Sequence, residues 1–179
     1  HNPRQHQRRH PHHYLQHQGD GGDVVQTSPG TTVVLGDTAF ASGNNEVGID
    51  ESDVSSEDAD YNYLDGLVDF TVSGAQAGAS YSIVIPLSGT IPEGAVLRKF
   101  MGDNIGWQDF VENATNAISS ITASSGTCPE PGSVFYEPGM ITPDMVAPEH
   151  VICLQLLIED GGPNDMDGSA NGTVVDPSG

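Results

Sequence analysis

Apolar residues in this chain fall in short runs of Val, Ile, Leu and Phe, separated by stretches rich in Gly, Ser, Thr, Asp and Asn. Within the runs apolar and polar positions tend to alternate, the period of a strand with one buried face. Residues 24–26 and 31–35 read as short strands around Ser28-Pro29-Gly30. Residues 40–47 are expected to form another pair, turning at Gly43-Asn44-Asn45. Residues 67–72 place Val68, Phe70 and Val72 on one face, and residues 80–87 set Tyr81, Ile83 and Ile85 against Ser82 and Val84. Residues 73–79 join these two as a long hairpin or a crossover. Residues 96–100 and 106–111 are further strands around the turn Gly102-Asp103-Asn104. Residues 117–124 alternate irregularly; they are read as strand, with helix as the rival. Residues 128–148 hold five prolines and are expected to be a long ordered loop carrying Val134-Phe135-Tyr136. Residues 151–158 form the most apolar run and predict a central strand, and residues 173–175 a last short one. The pattern predicts an all-β protein, a β-sandwich or jelly roll of mostly antiparallel strands. One domain over residues 19–179 is expected, preceded by an extended N-terminal arm, residues 1–18.

Charge sharpens this picture. From Gly19 onward the chain has all 25 acidic residues and two basic ones, Arg98 and Lys99, a net −23. Such a body repels nucleic acid and anionic membranes, and it attracts cations. The arm is its opposite: Arg4, Arg8 and Arg9 with His1, His6, His10, His12, His13 and His17, and no apolar periodicity. It reads as a transition-metal binder, as a basic segment docking on its own or a neighbour's acidic body, or as a cloning remnant, and docking is favoured. No run of 18 apolar residues predicts a membrane span. Two cysteines, Cys128 and Cys153, in a lysine-poor, glycine-rich chain suit an extracellular setting and one disulfide. That bond would close a loop of roughly 25 residues, worth about 3 kcal/mol in the chain-entropy picture. Two free buried thiols are the alternative.

The run at 151–158 is followed by Asp160, Asp165, Asp167, Ser169, Asn171 and Gly172, with Asp176 beyond. Asp167, Ser169, Asn171 and Gly172 fit D-x-S-x-N-G, the first half of a calcium loop, where alternate oxygens face a hard cation and glycine permits the turn. The twelfth position is Ser178, not glutamate, so the expectation is a Ca2+ loop joining strands rather than helices. Asp58, Asp60 and Asn62, inside an acidic stretch at 50–65, offer a second alternating set. The competing reading of both is a solvated polar turn. Enzymatic chemistry has little to stand on. His150 is the body's only histidine, no G-x-S-x-G elbow exists, and one tryptophan is a poor sugar platform for a carboxylate-pair glycoside hydrolase. Trp107 is expected in the sandwich core, and Arg98-Lys99 in a structural ion pair with the Asp109 or Glu112 region.

Gly106-Trp107-Gln108-Asp109-Phe110-Val111-Glu112, Cys128-Pro129-Glu130-Pro131-Gly132, Tyr136-Glu137-Pro138-Gly139, the stretch from Cys153 to Asp165, and Asp167-Gly168-Ser169-Ala170-Asn171-Gly172 with Asp176-Pro177 follow one another in order. This set resembles the choice-of-anchor U domain of bacterial surface and secreted proteins, over roughly residues 66–179. The resemblance implies an extracellular β domain and no enzymatic activity. The expected function is therefore a calcium-stabilised structural or adhesive surface module. Self-assembly into a filament, through the arm of one copy and the body of the next, is its sharper form. A peptide- or carbohydrate-binding adhesin domain is the alternative.

Overall fold

Strands form where alternation lets one side chain in two reach a shared interior, and the computed structural model places those interiors. It describes residues 14–16, 24–43, 46–63, 66–74, 76–87, 91–140 and 150–179. The six arm histidines, Asn44-Asn45 of the expected turn, Asp65 and residues 141–149 of the long loop lie outside the described residues.

Among the described residues twelve strands, β1 to β12 in chain order, make two antiparallel sheets. The first sheet has the order β1 (Tyr14–Gln16), β2 (Val24–Thr27), β6 (Ser80–Leu87), β11 (Val151–Glu159), β9 (Ala117–Ala123) and β10 (Glu137–Pro138). The second runs β3 (Thr32–Leu35), β5 (Leu67–Ser73), β12 (Thr173–Ser178), β7 (Arg98–Phe100) and β8 (Trp107–Asp109), and β4 (Gly48–Ile49) also pairs with β5. Val33, Val68, Phe70, Val72 and Val174 from one sheet meet Tyr81, Ile83, Ile85, Ile118, Leu154, Leu156 and Ile158 from the other in the main core. The all-β sandwich and the central position of the 151–158 run are thus present. β5 and β6 lie in different sheets, so the connection between them crosses from one sheet to the other.

Both outer faces are partly covered, and this explains the runs that do not alternate. On β11 the even positions face the core. Cys153, at an odd position, packs with Val84, Ala123, Cys128 and Tyr136 beneath the loop that follows β9. Cys128 and Cys153 are bonded, with Cα atoms 5.6 Å apart. Gln155, on the same outer face, accepts from Gly132 N at 2.6 Å and donates to Ser119 Oγ at 3.0 Å. On the second sheet, Leu67 packs with Ala39 and Ile49 in a smaller cluster that Trp107 and Tyr63 flank. Trp107 therefore seals this outer cluster rather than the sandwich interior, with its ring 5.3 Å from Tyr63 and 5.5 Å from Phe100.

One expectation is corrected outright. Residues 40–47 do not form a strand pair. Asp37–Ser42 is a short helix, α1, and the next strand is β4. Its N-terminus is capped from 30 positions away, Ala39 N donating to Asp69 Oδ2 at 2.9 Å. A side chain on Gly36, just before the helix, would overlap that carboxyl, since an added Cβ would lie 2.0 Å from Asp69 Oδ1.

Candidate functional site

The acidic stretch after β11 is organised by buried acceptors. Asp160 is 2% exposed. Its Oδ2 accepts from Gly78 N at 2.7 Å and Gly172 N at 2.8 Å, and its Oδ1 from Asn171 N at 3.3 Å. Burial alone would raise its pKa, but the backbone N–H donors of Gly78, Gly172, Asn171 and Thr173 outweigh that and hold it below the ordinary carboxylate value. Asp165 is fully buried and accepts from Gly161 N at 2.8 Å and Val175 N at 2.9 Å. Here burial wins, helped by the charge of Asp167, and its pKa is raised. Asn164, also fully buried, bonds both Val111 N and Val111 O at 2.8 Å and Asn116 Oδ1 at 3.0 Å. It behaves as one extra rung stitching the segment to the end of β8. Gly161, at φ +77°, has the backbone N of Ala170 2.6 Å from where a Cβ would sit, so only glycine fits.

The proposed cation ligands do not converge. Asp167, Ser169 and Asn171 are together on the surface, yet they bond one another: Asp167 Oδ1 accepts from Ser169 N at 2.8 Å and Oδ2 from Asn171 Nδ2 at 2.9 Å. Asn171 Oδ1 accepts from Thr173 N at 2.8 Å. Asp160 and Asp165 point at backbone donors. Asp176, on β12, faces the sandwich interior and is ion-paired to Lys99, so it is removed from the set. As arranged, these residues offer a calcium ion one carboxylate, that of Asp167, and they do not fit the charged, many-oxygen shell such an ion takes. Among the described residues no three His, Cys, Asp or Glu side chains group as a metal site would.

The second set disperses for the same reason. Asp58 receives a two-pronged contact from Arg98, Nε at 2.8 Å and Nη2 at 3.1 Å, and a hydrogen bond from Tyr63 OH at 2.6 Å. The Arg98 hydrogen bonds, against the opposing effect of burial, hold the Asp58 pKa below the ordinary value. Asp60 is exposed and Asn62 lies on a cleft wall. Arg98 also reaches Asp109 through Nη1 at 2.5 Å, as its expected partner, and its guanidinium sits 4.2 Å over the Tyr61 ring. Lys99 does not pair with Asp109 or Glu112.

No motif along the chain announces that cleft. It opens at one end of the sandwich and has a volume of about 680 Å³. Its floor and walls are Val68, Ile85, Leu87 and Leu154 from the two sheets, with Leu97 and Met140 from the segments beside them, while Tyr61, Asn62, Tyr63 and Arg98 form the polar side. The available signal was weak: this floor and these walls are scattered over β5, β6, β11 and the segments before β7 and after β10, one or two apolar residues from each. Comparison with known proteins adds nothing to this geometry, because no family model, curated protein or solved structure matches the chain.

Proposed function

We propose that this chain is a non-catalytic extracellular binding module, and that the cleft between its sheets receives apolar side chains of a peptide with basic flanks. The cleft carries this reading. Its volume falls within the range of ligand pockets, and its walls are aliphatic. The rim supplies little free polarity. Arg98 is neutralised by Asp58 and Asp109, one face of the exposed Tyr61 ring is taken by Arg98, and the Tyr63 ring leans on Trp107. The aliphatic walls outweigh this small polar rim, so peptide is favoured over carbohydrate. The net −23 from Gly19 onward disfavours an acidic partner and speeds the approach of a basic one. The extracellular setting is supported by the disulfide and by the resemblance to surface domains.

The test is titration with synthetic peptides that carry a central Ile-Leu pair flanked by Lys, by Glu or by Ser. The Lys-flanked peptide should bind best and weaken with salt, and Ala95→Trp, which puts a large side chain at a residue lining the cleft, should abolish binding. Equal or absent binding by all three peptides, or binding indifferent to the substitution, refutes the reading.

A second reading, self-assembly, draws on β1. Tyr14, Leu15 and Gln16 pair antiparallel with Gln26, Val25 and Val24, adding a strand to the first sheet's edge from the arm itself. Strand addition of this kind works equally between two copies. Removal of residues 1–18 should then leave monomers where the full chain assembles, as read by light scattering.

A further inference from the structure

Lys99 is the only lysine in the chain, and it is fully buried. It lies on β7 opposite Ser178 of β12. Asp176 lies two residues back on β12, on the same inward face as Ser178, and both are fully buried. Lys99 Nζ is in direct contact with Asp176 Oδ1. Among the described residues, Asp176 Oδ2 and Ser178 Oγ have no hydrogen-bond partner. Around them are Val174, also fully buried, and Phe70, which is paired across from Asp176.

An ion pair so placed is costly. Both charges have left water, and the carboxylate keeps one oxygen unbonded. A structural pair in a stable core usually satisfies every lone pair, and this one does not. We propose that Lys99 and Asp176 condense into an intramolecular isopeptide bond tying β7 to β12. The chemistry balances without any oxidant or cofactor. Proton transfer within the contact gives a neutral amine beside a carboxylic acid. The amine nitrogen attacks Asp176 Cγ and forms the C–N bond. One Cγ–O bond breaks, and that oxygen leaves as water with the acid proton and one amine proton. The product is a secondary amide, with one N–H and one C=O where two charges stood.

Two features favour the step. The side chains are held in contact on neighbouring strands, so the reaction is intramolecular and its encounter entropy is already spent in folding. Burial disfavours the ammonium form of Lys99, partly opposed by Asp176, and the amine is the nucleophile. The bond would enclose the Cys128–Cys153 loop within a second closure between positions 77 apart. This inference does not rest on the cleft.

The experiment is intact-mass measurement on the reduced, denatured full chain, followed by proteolytic mapping. The expected mass is one water below that of the sequence, with a branched peptide containing Lys99 and Asp176. Lys99→Met and Asp176→Ala should each show the full mass of their own sequence, a readout that does not require them to fold well. A wild-type chain at full mass overturns the proposal. So does a water loss that maps elsewhere, for instance to a cyclic imide at Asp167-Gly168.

Discussion

At the residue scale, buried carboxylates in this protein work as acceptors for the chain's own backbone. Asp160 serves three separate N–H groups and has almost no exposure, so its removal leaves several buried donors unpaired. Asp160→Ala should cost about 3 kcal/mol in chemical denaturation, more than an ordinary surface substitution. Acid should act through the same groups. Asp58 and Asp160 have folded pKa values below the ordinary 3.8. Their contributions are present above that value and are lost as pH falls through the depressed folded values. Asp69 and Asp165 have raised values, mainly from burial, and their contributions are lost as pH rises through them. The two sets oppose each other as pH falls, so the test is comparative: below about pH 4, Asp58→Asn should lose less of its urea midpoint per pH unit than the wild-type chain does. An unchanged slope in the variant would show that the Arg98 contact contributes no such linkage.

At the scale of elements, β11 shows what could be read and what could not. Its run of apolar residues announced a central strand, and it lies between β6 and β9 with eight and seven paired positions. The loop on its outer face was legible only as two cysteines and a group of prolines. The disulfide pins that loop over Val84 and Ala123, with Tyr136 OH donating to Pro129 O at 2.7 Å. Reduction, or Cys128→Ser with Cys153→Ser, should lower stability by about 3 kcal/mol, measured by denaturant midpoint with the fold otherwise kept. Helix α1 is the opposite case. Its six residues carry no apolar stripe, and only Ala39 is buried. Its capping acceptor, Asp69, belongs to β5. Local pattern could not announce a helix whose stabilising partner lies 30 residues away. The irregular strand at 117–123 alternates poorly because it, too, is covered on both faces, by the core at Ile118 and by the disulfide loop at Ala123.

At the scale of the whole molecule, strong negative charge and calcium have become separable questions. The loop at 160–176 is closed by internal hydrogen bonds, so a chelator should leave the melting temperature unchanged in moderate salt. A drop of several degrees on chelation, restored by calcium, would show that an ion completes the loop instead. Self-repulsion among 25 acids is a different effect, and rising monovalent salt should stabilise the protein by screening it. No helix among the described residues is long and apolar enough to cross a membrane.

Composition and alternation by themselves determined that this chain is a sandwich of short strands, which run would lie at its centre, and that two cysteines could be joined. These are local properties: a period of two, turn residues at the breaks, and the identity of the cysteines. The tertiary structure alone decided where each charge goes. Asp58, Asp160, Asp165 and Asp176 look alike along the chain, yet they meet a guanidinium, three backbone amides, two backbone amides and a buried ammonium. A carboxylate's role is set by whichever donor the fold brings within hydrogen-bonding distance. For each of these four at least one such donor comes from another element, so spacing along the chain could not assign the roles.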